Sequence, residues 1–128
     1  MTEERKALDI VCLYPKDMNI YGDFGNLKVL QLRSSLYGYK PQIHMYNVGD
    51  PWPGECDLVV GGGGQDHGQI RVGEDLFSIN QTLHSLADRA VPMLVICGLY
   101  QLFGHYFDTA DGKRIQGIGI LGVHTVGQ

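Results

Sequence analysis

The sequence lacks a paired-cysteine motif, a long apolar run and an excess of basic residues, and each absence removes a class of function. Its three cysteines form no Cys-x-x-Cys pair, so neither a disulfide framework nor a zinc site is suggested. No apolar run approaches the length that spans a bilayer, and the opening "MTEERKALDI" is too polar for a signal peptide. The formal charge of −4 argues against a nucleic-acid or anionic membrane surface as a partner. We therefore expect a soluble, cytoplasmic protein that binds no nucleic acid and does not insert into membranes.

The composition is that of one folded domain, which we assign to residues 1–128. Hydrophobic residues make up 44% of the chain and charged residues 19%, which is ordinary for a globular protein. No internal repeat, low-complexity tract or linker interrupts it. The 18 glycines are unusual, and many of them cluster next to predicted strand ends.

Short apolar runs alternate with helical patterns along most of the chain. The predicted strands are 7–15, 40–48, 56–60 and 92–96, and the predicted helices cover 24–38 and 74–90. Strands that alternate with helices at this spacing form right-handed βαβ units around a parallel sheet. We expect a three-layer α/β domain with a mainly parallel sheet and helices on both faces.

Three details of this pattern are specific enough to be tested. In the first helix Leu27, Leu30 and Ser34 share one face and 29, 32 and 36 an adjacent one, which predicts a wide apolar stripe packed on the sheet. Apolar residues at 76, 79, 83, 86 and 90 predict one continuous second helix. The pair Asp111-Gly112 predicts a hairpin and an antiparallel extension at the C-terminal end.

Cys97 is the strongest candidate for a catalytic residue. It follows a buried strand in "VPMLVICGLYQLFG" and precedes a helical pattern, where a sharp turn exposes the sulfur and the helix dipole favours the thiolate. The N–H of Gly98 would point at a developing oxyanion. A cysteine without such a position is more often a buried structural residue, and we interpret Cys12 and Cys56 in that way.

A glycine run follows the third strand in "GGGGQDHGQ" (61–69). Glycines let the backbone approach a ligand and turn its N–H groups inward, which suits an anion or an oxyanion; a flexible turn is the alternative. The run is not followed by Gly-Lys-Ser/Thr, so it is not a Walker A motif. A second oxyanion donor from Gly62 or Gly63 beside Cys97 would make an acyl-transfer site.

Four segments together resemble the class I (triad) glutamine amidotransferases: "LYPKDMNIYGDFGN", "LVVGGGGQD", "PMLVICGLYQLFG" and "DGKRIQGIGIL". The resemblance covers residues 8–125 and is closest to the CobB/CobQ-like branch, in particular to the GatD-type glutaminase subunit of lipid II isoglutaminyl synthase. It implies a flavodoxin-like fold and a nucleophilic Cys97 that attacks L-glutamine. It also implies an oxyanion hole from Gly62, Gly63 and Gly98, with Gln101 holding the substrate. Leu99 stands where the family usually has a second glycine.

The resemblance also implies partners. Ammonia would pass to a Mur-ligase-like (MurT-type) synthetase that amidates the D-glutamate of lipid II in peptidoglycan synthesis, with ATP and Mg²⁺ on that partner and no cofactor or metal on this chain. The alternatives are the glutaminase domain of a cobyrinic or cobyric acid amidase, and a non-catalytic module that keeps the fold. The family takes its catalytic histidine from a late strand, so we expect this chain to be the N-terminal part of a longer glutaminase, inactive alone.

Several polar residues keep two interpretations each. Asp23 and Asn26 could contact the site or a partner, or could cap the following helix. Gln65 and Asp66 could contact the substrate or a partner, or belong to a solvated loop. Of the histidines, His67 is the best placed to replace the missing base. A histidine beside such a loop is more often a surface residue, so His67 is not assigned as the base. His105 and His124 are not assigned as the base either.

Overall fold

The computed structural model describes residues 4–19 and 22–127 and contains two sheets and four helices within them. The strands are β1 (Ala7–Leu13), β2 (Lys40–Tyr46), β3 (Leu58–Gly61), β4 (Met93–Val95), β5 (Tyr106–Asp108), β6 (Arg114–Gln116) and β7 (Thr125–Val126). The helices are α1 (Phe24–Leu36), α2 (Asp66–Ser78), α3 (Asn80–Asp88) and α4 (Gly98–Phe103). No helix in the described ranges combines the length and apolar character needed to cross a membrane.

The main sheet has the order β2-β1-β3-β4, and all its strand pairs are parallel. Strand β1 lies inside the sheet and is buried from Ile10 to Leu13, as its continuous apolar run predicted. The carboxyl ends of β1, β3 and β4 therefore meet at one edge, and the residues that follow these strands form the candidate site.

Helices cover both faces of this sheet, which confirms the predicted three-layer arrangement. On one face Ile10, Cys12 and Val60 pack with Leu27 of α1. The opposite face carries the larger core cluster, in which Val11, Leu13 and Val59 pack with residues of α2, α3 and α4: Leu76, Leu83, Leu99 and Leu102. Successive strand residues point to opposite faces, so a single apolar strand supplies both clusters.

The wide apolar stripe predicted for α1 is wrong for the second of its two faces, the one with residues 29, 32 and 36. Leu27 is buried against the sheet, whereas Val29, Leu32 and Leu36 are 52%, 62% and 76% exposed. The helix turns 100° per residue, so these three lie away from the face that carries Leu27, and one sheet can cover only one face of a helix. The pattern gives the position of apolar residues but not what covers them.

The predicted single helix at 74–90 is also wrong. Helix α2 begins at Asp66, inside the predicted loop, and the chain leaves helical geometry at Ile79 with φ −110° and ψ 10° before α3. The Ser78 hydroxyl donates to the Asp75 carbonyl at 2.6 Å, and the Ile79 N–H bonds the Leu76 carbonyl instead. The apolar phase survives this break, because Leu76, Ile79, 83 and 86 are all buried.

A second sheet of order β6-β5-β7 follows α4. The hairpin prediction is confirmed: β5 and β6 pair antiparallel, and Gly112 adopts φ +88° in the connection. The extension is mixed rather than antiparallel, because β7 pairs parallel with β5. The chain crosses back after β6, so β7 enters in the direction of β5.

Candidate active site

Cys97 lies in the connection between β4 and α4 with φ 55° and ψ −116°. This left-handed backbone is unfavourable for a residue with a side chain, and such strain is concentrated at functional positions. The Cys97 carbonyl accepts the first bond of α4 from Gln101 N–H at 3.0 Å, and the residue is exposed. A strained strand-to-helix turn that exposes a nucleophilic side chain is the geometry of a nucleophile elbow.

Leu99 fits this elbow because of a glycine on the neighbouring strand. Leu99 is fully buried, and its N–H donates to the Gly62 carbonyl at 3.1 Å. A Cβ on Gly61 would overlap the Leu99 side chain. Leu99 therefore occupies the position of the usual second glycine, and its side chain fits there because Gly61 has no side chain.

We expect Gly61→Ala to lower the free energy of unfolding by about 1–3 kcal/mol, because the added methyl group overpacks the elbow against Leu99. In a Leu99→Ala background the same substitution should cost less, since the clash is gone. Urea unfolding of both single variants and the double variant measures this coupling. Strictly additive effects would contradict the contact.

The glycine loop after β3 contacts Asp23. The Gly63 N–H donates to Asp23 Oδ2 at 3.1 Å, and a Cβ on Gly62 would overlap the Asp23 side chain. Asp23 occupies the cap position of α1 but makes no side-chain capping bond; Asn19 Oδ1 instead accepts from the Phe24 N–H at 2.7 Å. The capping interpretation of Asp23 is therefore wrong, and its side chain belongs to the glycine loop.

Of the three predicted oxyanion-hole residues, Gly62, Gly63 and Gly98, the amides of Gly98 and Gly63 differ in whether they already have an acceptor. The Gly98 N–H, the first of α4, has no acceptor among the described residues, as is usual for a helix start. The Gly63 N–H is taken by the Asp23 carboxylate, whose charge opposes an oxyanion at that amide. Gly63 can serve as a donor only after this carboxylate turns away, and the oxyanion role of both amides stays a prediction.

The other two cysteines are poorly suited to nucleophilic chemistry. Burial, with a contribution from the negative charge of Asp23, raises the pKa of Cys12 to about 11. Burial also raises the pKa of Cys56, whose Sγ donates to the Leu58 carbonyl at 3.5 Å. Cys97 differs from both because it is exposed.

Asp23→Asn should lower the pKa of Cys12, because the substitution removes the nearby negative charge. The pKa should stay above the ordinary thiol value of 9.0, since burial is the larger cause of the shift. The raised pKa contributes stability that is complete below pH 9.0 and is lost as the pH rises through about 11. The thiolate absorbance of a protein lacking the other two cysteines, followed against pH, measures the shift. An unchanged or higher pKa would contradict the placement of Asp23.

Gln101 is half-buried in α4, and its side chain is held by a residue that the sequence did not single out. Its Oε1 accepts from Gln69 Nε2 at 3.1 Å, and Gln69 is only 3% exposed. The sequence does contain a signal, because Gln69 precedes Val72 and Leu76 by three and seven residues on the buried face of α2. A polar residue in such an apolar register is a candidate for a role in the site.

The histidines give no base for Cys97 within the described ranges, because none is hydrogen-bonded to it there. His44 pairs with Asp9 at 2.8 Å, His84 bonds the Ile118 carbonyl, and His124 stacks on Tyr106. His67 is exposed in the first turn of α2 and lines a cavity with Lys16, Asp17, Gln65 and Gly68. His105 is exposed. The catalytic interpretation of these histidines has no contact that supports it.

Two further predicted contacts remain unassigned. Gln65 is exposed at the start of α2 and makes no capping bond with its side chain, and the side chain of Asp66 lies outside the part of the chain that the structure describes. In that same part no three histidine, cysteine or acidic side chains converge as a metal site would require.

Comparison with known proteins places the chain beside glutamine-hydrolysing relatives. A model of the CobB/CobQ-like glutamine amidotransferase domain matches residues 9–128. The chain is 34% identical over 122 residues to the lipid II isoglutaminyl synthase (glutamine-hydrolyzing) subunit GatD of Streptococcus pneumoniae (strain ATCC BAA-255 / R6), covering 94% of this chain and 47% of that protein. It is 33% identical over 109 residues to the subunit of the same name from Staphylococcus aureus (strain N315), covering 84% and 45%. The chain thus spans about half the length of these curated relatives.

Proposed function

Because the chain belongs to the CobB/CobQ-like glutamine amidotransferase family, we propose that its Cys97 forms the γ-glutamyl thioester through which the assembled enzyme hydrolyses L-glutamine. The observation that carries this proposal is the backbone of Cys97, which holds an exposed thiol in a strained elbow at the start of α4. The two relatives described above are both named as glutamine-hydrolysing subunits, which supports the same reaction.

The proposed chemistry proceeds in two steps. The Cys97 thiolate attacks the side-chain carbonyl of glutamine, and the Gly98 N–H donates to the oxyanion of the tetrahedral intermediate. The C–N bond then breaks, and the leaving amine takes a proton and departs as ammonia. Water attacks the thioester, which releases glutamate and restores the thiol. Gly63 would add a second donor once Asp23 has moved, and Gly62 is the other candidate donor of the glycine loop.

This sequence of steps needs a base within hydrogen-bond reach of the thiol. None of the described histidines is hydrogen-bonded to Cys97, so we propose that the catalytic histidine comes from outside the described residues and that this chain is inactive alone. Strong glutamate release by the chain alone that is lost in His67→Ala would contradict this proposal.

For the fate of the ammonia, we propose delivery to a Mur-ligase-like (MurT-type) synthetase that amidates the D-glutamate of lipid II in the cytoplasm. ATP and Mg²⁺ would be bound by that partner. The support is that both relatives are named as subunits of a lipid II isoglutaminyl synthase.

Affinity purification of the protein from its native host, followed by an amidation assay, tests the partner. We expect a Mur-ligase-like ATPase to copurify and the complex to amidate lipid II with glutamine as the nitrogen source. Cys97→Ser should abolish this amidation with glutamine but not with added ammonia, because only the glutaminase step is lost. Copurification of a corrinoid-amidating enzyme instead would overturn the choice of acceptor, and a Cys97→Ser complex that still uses glutamine would overturn the reaction.

A further inference from the structure

The side-chain amide of Gln69 is buried, and burying it has a free-energy cost. Gln69 is 3% exposed on α2, at the start of the register that continues with Val72 and Leu76 in the main core. Burying an amide costs free energy unless the amide is hydrogen-bonded. The described partner of its side chain is Gln101, at 3.1 Å from Nε2 to Oε1. The interaction therefore joins the core side of α2 to the helix that begins at the nucleophile.

The same amide lies against the elbow itself. A Cβ on Gly98 would overlap Gln69 Nε2 and would lie 3.2 Å from Gln69 Cδ. Gly98, the residue after the nucleophile, thus leaves the space in which the Gln69 amide sits. Gln69 contacts the elbow on one side and Gln101 on the other, so its position is fixed relative to Cys97.

The direction of the hydrogen bond determines what Gln101 can offer a ligand. A side-chain amide has a carbonyl oxygen that accepts and an NH₂ group that donates. Gln69 donates to Oε1 of Gln101 and so orients the Gln101 amide, whose Nε2 is the group that can donate to a ligand. A donor of this kind binds a carbonyl or carboxylate oxygen and does not favour an ammonium group.

We propose that Gln69 is a positioning residue that fixes the amide of Gln101 so that its Nε2 donates to an oxygen of the glutamine substrate. This inference rests on the proposed function, since it takes Cys97 as the nucleophile and Gln101 as a substrate-binding residue. Gln69 itself touches no substrate atom and acts through Gln101.

The test uses 6-diazo-5-oxo-L-norleucine, a glutamine-like electrophile, on the assembled enzyme, in which the proposed base is present, and mass spectrometry follows the modification of Cys97. Saturation kinetics separate the half-saturating concentration from the maximal rate, and iodoacetamide measures the reactivity of the thiol without a substrate site. Gln69→Met, which has a similar length and cannot donate, should raise the half-saturating concentration about tenfold. The maximal rate and the iodoacetamide rate should stay within about twofold, a split that a merely structural role would not produce.

A double-mutant cycle with Gln101→Met identifies the route of the effect. If Gln69 acts through Gln101, the double variant is no weaker than Gln101→Met alone, whereas independent roles add the tenfold loss of Gln69→Met on top of the loss in Gln101→Met. Gln69→Glu serves as the second variant. Its carboxylate can only accept a hydrogen bond, so Gln101 would donate its Nε2 to this carboxylate and present Oε1 to the ligand instead. It should therefore weaken binding of the electrophile at least as much as Gln69→Met.

The outcomes separate the two claims. If labelling of the wild-type protein is saturable and the half-saturating concentration is unchanged in Gln69→Met and Gln69→Glu, only the role of Gln69 is overturned and the proposed function stands. Multiplicative effects in the cycle, or an equal loss of iodoacetamide reactivity, would do the same. Wild-type labelling that shows no saturation would overturn the proposed function and, with it, this role of Gln69.

Discussion

Asp75→Ala is expected to lower the free energy of unfolding by about 2–6 kcal/mol, because it leaves two tyrosine hydroxyls without an acceptor. Asp75 Oδ2 accepts from Tyr14 Oη at 2.7 Å and from Tyr46 Oη at 2.8 Å, and Oδ1 accepts from the Gly49 N–H at 3.0 Å. Both tyrosines are almost completely buried. One carboxylate therefore satisfies donors from the ends of β1 and β2 and from the loop that follows.

Urea unfolding measures this loss, with Glu74→Ala as the matched control, since Glu74 is an exposed acid on the same helix. The control should change stability by less than about 0.5 kcal/mol. Tyr14→Phe, which removes one donor and leaves an acceptor with its other bonds, should cost less than Asp75→Ala. An Asp75→Ala protein as stable as the control would contradict the network.

This network matters for the site because it holds the loop that leads to it. Tyr14 directly follows β1 in a left-handed conformation with φ 54°, and its N–H donates to the Tyr46 carbonyl at 2.6 Å. The loop that follows places Met18 against the elbow, where its Cε would be 3.0 Å from a Cβ on Gly98. A destabilised Asp75 variant should therefore also lose the order of the candidate site.

Cys97→Ser is expected to reduce glutamine hydrolysis by about 10⁴-fold or more in the assembled enzyme, because a hydroxyl at this position does not ionise as a thiol does. The fold should survive, since Cys97 is exposed. Glutamate release from glutamine is the measurement. Cys56→Ser is the matched control, because a hydroxyl can replace the Sγ that donates to the Leu58 carbonyl. Equal hydrolysis by wild type and Cys97→Ser would remove Cys97 from the reaction.

The layer arrangement was predictable from local sequence. The apolar run of β1 is typical of a strand buried on both faces, and Asp111-Gly112 predicts a tight connection whose glycine adopts φ +88°. Cys97 was also recognisable, because a cysteine between a strand and a helix falls at the carboxyl edge of a parallel sheet. These features depend on neighbours in the sequence, which a pattern can represent.

The features that escaped prediction depend on residues far apart in the chain. The sequence suggests that Asp23 is a helix cap, whereas in the structure its side chain accepts the N–H of Gly63, forty positions away. The sequence suggests that Gln69 belongs to a loop, whereas in the structure it lies on α2 and donates to Gln101. The break at Ile79 depends on one hydroxyl that competes for a carbonyl, which hydrophobic periodicity does not register.

The measurement that tests the central claim most directly is the modification rate of each cysteine of this chain by 6-diazo-5-oxo-L-norleucine in the assembled enzyme, at about pH 8, below the usual thiol pKa. With a pKa of about 11 against 9.0, Cys12 has a thiolate fraction about a hundredfold below that of an ordinary thiol, and burial also protects Cys56. We predict that Cys97 reacts at least about a hundredfold faster than Cys12 and also faster than Cys56, and that L-glutamine, but not D-glutamine, slows its modification. Labelling of Cys97 no faster than the other two, or no protection by L-glutamine, would contradict the assignment of Cys97 as a glutamine-specific nucleophile.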